Sequence, residues 1–129
     1  MDIIETYLRY YEGKNYKRID SASLFPENDK TSLFVMAGIQ PLIPYFSDRN
    51  EKKYTQIVNC QKCIRMNELD KVGDAYHHTF FEMLGNWSFD KFSREISIEL
   101  CYDFLVNYLG LKKERMMITI FSGNDLRPL

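Results

Sequence analysis

The sequence predicts an α+β fold in which an antiparallel sheet, built on one long-looped hairpin, is flanked by helices. Three observations carry that reading. Apolar residues recur at three- and four-residue spacing near each end of the chain, over residues 3–11 and 93–109. Two strand-like runs, 57–65 and 79–86, lie between them and enclose a polar stretch. The turn formers Gly13, Pro26, Gly38, Pro41, Pro44 and Gly110 fall between these segments and not inside them.

Within residues 3–11, Ile3, Ile4, Tyr7, Leu8 and Tyr11 share one helix face, and Gly13 is placed to end the helix. Residues 21–30 hold Pro26, Asn28 and Asp29 and read as a loop; residues 32–36 then offer a short apolar strand closed by Gly38. Pro41 and Pro44 argue against a regular element directly after it, because proline has no N–H to donate. Residues 57–65, rich in Ile, Val and Cys, pair with 79–86 as a hairpin across the polar residues 66–76. Loops of that length in a compact domain are more often functional than idle. Residues 93–109 place Ser97, Cys101, Phe104, Leu105 and Tyr108 along one side of a second main helix, with Gly110 as its stop. Residues 116–121 supply a last strand, and Ser122, Gly123, Asn124 and Pro128 read as an unstructured end. No repeat, low-complexity tract or linker divides the chain, so a single domain over 1–129 is expected.

Composition narrows the function classes. A chain of 129 residues that is 45% apolar has material for a core, and its 15% aromatic content serves packing or flat-ring recognition equally well. Seventeen basic residues against eighteen acidic ones leave a formal charge of −1, unlike the strongly basic footprint of proteins that grip nucleic-acid backbones. Cys60, Cys63 and Cys101 are odd in number and lack the spacing of a disulfide framework, which points to a reducing, cytoplasmic setting. The first nine residues carry Asp2 and Glu5 and no long apolar run, so no signal peptide is expected. No segment reaches membrane-spanning length, and no membrane partner is expected.

The densest chemical signal is Asn59 to Arg65 (NCQKCIR) followed by His77 to Phe89 (HHTFFEMLGNWSF). Arg65 ends the first strand, where its planar, permanently charged fork suits a phosphate oxygen. Alternation on the returning strand puts Phe81, Met83 and Gly85 on one face and Phe80, Glu82 and Leu84 on the other. Phe81 then offers a ring to a flat base, and Gly85 removes a side chain where such a base approaches the backbone. Spacing alone leaves the plainer alternative open: paired Phe in a strand is ordinarily core, and a strand-end Arg is ordinarily a surface charge. Cys60 and Cys63 with His77 and His78 invite a zinc site. A regular strand turns those two thiols to opposite faces, so no metal is expected. A Cys nucleophile with a His base lacks any sign of a third, orienting group.

These segments resemble motif 2 of alanyl-tRNA synthetase, a class II aminoacyl-tRNA synthetase, over about 57–89. Residues 21–31 (SASLFPENDKT) and 34–46 (FVMAGIQPLIPYF) match the same family in order, the latter resembling motif 1, at about 31–46. The resemblance covers essentially the whole chain and implies the N-terminal part of a class II catalytic core, an antiparallel sheet flanked by helices. It implies ATP with Mg²⁺, alanine and tRNA(Ala) as ligands, and alanine activation followed by transfer to tRNA as the reaction. Arg65 maps onto the motif 2 arginine that holds the α-phosphate and is the expected catalytic residue. Phe81 maps onto the phenylalanine that stacks on adenine; His77, Glu82, Met83 and Gly85 complete the expected ATP-binding set.

Three departures from the family pattern qualify what the resemblance implies. Many members insert Gly-Lys directly after the motif 2 arginine, whereas Arg65 runs into Met66 and Asn67, so a second phosphate-binding cation is missing. The family commonly has Ser-Phe-Gly-Asp after the tryptophan or phenylalanine, whereas Ser88-Phe89-Asp90 omits the glycine. The chain ends at Leu129, ahead of motif 3, so a truncated or split fragment, inactive alone and open to a complementing chain or homodimer, is expected. The alternative is a non-catalytic synthetase-like paralogue that acts as an interaction module through residues 34–46. Lys52, Lys53, Lys112, Lys113 and Arg115 read as solvated charges that could also meet tRNA phosphates.

Overall fold

The computed structural model describes residues 1–27, 31–47, 54–67, 69–89 and 93–119. Helix α1 spans Ile3–Glu12 and buries Leu8, Tyr10 and Tyr11. Asp2 caps it: its Oδ1 accepts the Glu5 N–H at 3.1 Å, satisfying one donor of the first turn. Gly13 ends the helix as expected, as its C-cap. Gly13 stays right-handed at φ −63°, and the reversal falls on Asn15 at φ 68°, one of the few side-chain-bearing residues that tolerate it.

The reversal sends the chain into β1 (Lys17–Arg18), which pairs in parallel with β2 (Gln56–Ile64); β2 pairs antiparallel with β3 (Phe80–Ser88). The register runs from Gln56 opposite Ser88 to Ile64 opposite Phe80, and the sheet order is β1-β2-β3. The predicted hairpin is therefore present, with Arg65 just past the end of its first strand. The sheet is mixed because of β1, whose two residues are too short to leave a periodic signature.

The pleat divides the hairpin into two chemically different faces. Helix α1 serves one of them, where the Asn86 Nδ2 donates to the Tyr7 hydroxyl at 2.7 Å. The other carries Ile57, Asn59, Gln61 and Cys63 from β2 opposite Trp87, Gly85, Met83 and Phe81 from β3. All four β2 residues on this face are buried.

Residues 32–36 form no strand. Val35 makes one backbone bond to each side, donating to Leu24 O at 2.8 Å and accepting from Ile64 N at 2.9 Å. The ladder does not extend past Val35; the Ser32 hydroxyl instead bonds the Phe34 carbonyl, a local competitor of sheet pairing. The prolines do not exclude helix either. Gln40–Leu42 is a 3₁₀ turn, and α2 (Ile43–Ser47) follows it. Pro41 and Pro44 sit in first turns, where the missing N–H has no intrahelical acceptor to lose.

The chain falls into two compact units, Met1–Arg94 and Glu95–Leu129. Helix α3 (Arg94–Asp103) runs into a π turn at Phe104–Tyr108, in place of one uniform helix over 93–109. Of the five residues expected along its inner side, Phe104 is buried, whereas Ser97, Cys101 and Tyr108 are exposed. The wider π register breaks the 3.6-residue spacing from Phe104 onward and turns Tyr108 out, whereas Ser97 and Cys101 are exposed within the regular helix before it. Gly110 stops the helix as predicted, at φ +68°, with Leu109 N bonded to Phe104 O. Residues 116–119 form no strand; Met116 N closes a 3₁₀ turn on Lys113 O instead of a ladder. Ser122, Gly123, Asn124, Pro128, Lys52 and Lys53 lie outside the described residues. Among the described residues no helix is long and apolar enough to cross a membrane.

Candidate functional site

Arg65 closes the mouth of the hairpin. Its backbone N–H donates to Thr79 O at 2.9 Å, and its side-chain Nε donates to Met36 O at 3.0 Å. The guanidinium lies over the Phe81 ring, 5.0 Å from carbon to centroid, a cation–π contact that holds an otherwise exposed side chain. Arg65 and Phe81, joined only by analogy in the sequence, are thus neighbours in space. The same charge reaches Cys63, whose thiol is pushed up by burial and pulled back by Arg65. The Cys60 thiol is also raised, first by burial and then by the nearby Glu82 charge.

Met83 continues the Phe81 face, and its sulfur accepts the Gly38 N–H at 3.2 Å. Residues 36–46 therefore run along this face: Met36 at Arg65, Gly38 at Met83, then Tyr45 and Phe46 against Phe89 with ring centroids 5.3 and 4.7 Å apart. The room that Gly85 leaves is not open to a base. A Cβ there would lie 2.0 Å from the Trp87 ring, so the indole folds back over Gly85, and the same ring atoms stand 3.1 Å from a Cβ placed on Gly38. The two glycines make a slot for the indole of Trp87.

His77 sits two residues before Thr79 and is held by Asp74. Asp74 Oδ1 accepts the N–H groups of Tyr76 (2.8 Å) and His77 (2.7 Å), and Oδ2 meets the His77 Nδ1 at 2.6 Å. Those backbone donors, followed by the ring, lower the Asp74 carboxyl to about 2. Glu82 is exposed on the other face of the sheet, opposite Lys62 in register, and is not gathered with Arg65, Phe81 and Met83.

Residues 21–23 are tied to the sheet by Gln61, which is 0% exposed. Its Oε1 accepts Ala22 N at 2.9 Å, and its Nε2 donates to Ala22 O and Lys62 O at 3.1 and 2.9 Å. A cavity of about 620 Å³ adjoins that tie, lined by Ala22, Phe25, Pro26, Val35, Gln40 and Ile43 among others. It includes none of the six predicted site residues, so its volume does not locate the site. Among the described residues no group of three or more His, Cys, Asp or Glu is placed to hold a metal ion.

The family model described as tRNA synthetases class II (A) matches residues 2–127. The chain belongs to the class II tRNA synthetases. The relatives it resembles over nearly its whole length are alanine–tRNA ligases. It is 38% identical over 129 residues to the alanine–tRNA ligase of Borrelia hermsii, covering 98% of this chain and 22% of that protein. It is 41% identical over 124 residues to the Treponema denticola enzyme, covering 95% and 21%. To that of Caldicellulosiruptor saccharolyticus it is 44% identical over 125 residues, covering 96% and 14%. This synthetase chain thus spans about a fifth or less of the length of these relatives, in their N-terminal part.

Motif reading of the synthetase chain missed Gln61, Asp74, Trp87 and the Met36 carbonyl. Gln61 had a usable signal, since strand alternation puts it in line with Ile57 and Cys63 on the inward face. Asp74 stands three residues before His77, a spacing that marks side-chain-to-backbone turns. The Met36 carbonyl has no side-chain signature at all.

Proposed function

We propose that this chain supplies the motif 1 and motif 2 part of an alanine-activating site, in which Mg-ATP and alanine react and the alanyl group passes to tRNA(Ala). The observation that carries the reading is the Arg65 guanidinium stacked at 5.0 Å over Phe81 at the hairpin mouth. An α-phosphate oxygen can take one edge of that fork while adenine lies on the Phe81 ring. A carboxylate oxygen of alanine then attacks the α-phosphorus, the bond to the bridging oxygen breaks, and pyrophosphate leaves. Arg65 neutralises charge on the non-bridging oxygens as the transition state forms. Mg²⁺ enters on the nucleotide's own phosphates, in keeping with its habit of using few protein ligands.

Met83 and Gly85 act by seating the Phe81 face against Gly38 and Trp87. His77 reaches the phosphates from the loop, and Glu82 contributes from the opposite face only by its charge. We read residues 1–129 as one portion of a cytoplasmic catalytic core. Arg65, His77 and Phe81 meet the nucleotide from one end of the hairpin, and the groups that face it from other sides would come from the rest of the core, from a complementing chain or from a second copy.

Calorimetric titration with Mg-ATP tests the reading. Saturable binding is expected, and Arg65→Ala should weaken it about tenfold, close to 1.4 kcal/mol. Equal affinity of Arg65→Ala and the parent chain would remove the role given to Arg65.

A further inference from the structure

We propose that Asp74 is the positioning residue of this nucleotide site: its carboxylate clamps His77 at the hairpin mouth so that the imidazole serves as the second cation for the nucleotide phosphates. The inference rests on the reading of the hairpin as an ATP site and deepens it. Asp74 uses both oxygens on one target. Oδ1 takes the backbone N–H of Tyr76 and His77, which fixes the turn, and Oδ2 takes the ring Nδ1, which fixes the ring. A carboxylate on Nδ1 keeps that nitrogen protonated and fixes the orientation of the ring, as such partners do for functional histidines.

Position and inventory both call for such a cation. His77 lies two residues from Thr79, whose carbonyl receives the Arg65 N–H, so the imidazole and the guanidinium belong to the same end of the hairpin. Directly after Arg65 come the uncharged Met66 and Asn67. The loop's other charged side chains are Asp70 and Lys71, both exposed, and Glu68, which lies outside the described residues. The backbone donors of Tyr76 and His77, and then the His77 ring, hold the Asp74 carboxyl down to about 2.

Asp74→Asn isolates the charge. The amide oxygen can still accept both backbone N–H groups, while the amide nitrogen, a donor, replaces Oδ2 and forces the ring to accept at Nδ1. Mg-ATP titrations of the parent chain, Asp74→Asn, His77→Ala and the double variant are read beside the imidazole nitrogen NMR signals. Asp74→Asn should weaken Mg-ATP binding about five- to tenfold and switch the His77 proton from Nδ1 to Nε2. The double variant should bind no more weakly than His77→Ala, because Asp74 acts only through the ring. Parent-like affinity of Asp74→Asn, or losses in the double variant that multiply as for independent sites, would overturn the assignment while leaving the ATP reading intact. Absence of saturable Mg-ATP binding by the parent chain would remove both.

Discussion

Gly85→Ala is expected to damage the sheet face from within. The added Cβ would lie 2.0, 2.4 and 2.8 Å from three carbons of the Trp87 ring, against an ordinary carbon separation of about 3.5–4.0 Å. The indole would have to retreat by roughly 1.5 Å to regain that separation. Its ring atoms already stand 3.1 Å from a Cβ position on Gly38, so retreat displaces the 36–46 segment or expels the ring. Overpacking of this kind costs about 1–3 kcal/mol. For a chain of this size that corresponds to a fall in melting temperature of roughly 4–12 °C. Trp87 is the sole tryptophan, so its emission reports the site directly, and a red shift should accompany the lower transition. Pairing Gly85→Ala with Trp87→Leu should recover at least about 1 kcal/mol relative to the sum of the single effects. A Gly85→Ala protein that melts within a degree of the parent with unchanged emission would refute the packing of Trp87 on Gly85.

Two buried amides on the same face should respond in opposite ways. Gln61→Leu strands the N–H and C=O of Ala22 and should cost about 2–4 kcal/mol, read by denaturant unfolding. Asn59 is 2% exposed and its Oδ1 has no hydrogen-bond partner among the described residues, so Asn59→Leu should be neutral or stabilising by up to about 2 kcal/mol; a large loss would mean that the oxygen is satisfied in solution. Asp74 sets a pH signature. Its folded carboxyl is depressed to about 2, below its ordinary value, so the turn's stabilisation is present above the ordinary value and is lost as pH falls through about 2. The Tyr76 and His77 amide resonances should titrate with that low midpoint, and a midpoint near 4, the ordinary range of a free aspartate, would exclude the clamp.

Local physics made much of this protein legible without coordinates. The 3.6-residue pattern specifies α1; alternation specifies the two hairpin strands and the common face of Phe81, Met83 and Gly85; Gly110 specifies a helix stop. Each is a short-range property in which neighbouring residues supply the whole cause. The motif strings also sufficed for the family, because HHTFFEMLGNWSF in that order carries far more information than any spacing rule.

Contacts between distant segments were decided only in three dimensions. Whether residues 32–36 pair as a strand depends on what lies beside them, and Val35 finds one partner on each side where a ladder needs several. The same holds for residues 116–119. Gly85 shows the limit most clearly: its missing side chain is equally compatible with an approaching base and with a neighbour's ring, and only the fold, by laying Gly38 across the sheet, gives the space to Trp87. Arg65 is likewise a bare strand-end charge in the sequence. The backbone carbonyl of Met36 and the ring of Phe81, brought from 29 and 16 positions away, turn it into a held and aimed guanidinium. Hydrogen-bonding carbonyls and ring faces have no sequence signature of their own, so their placement belongs to the tertiary structure.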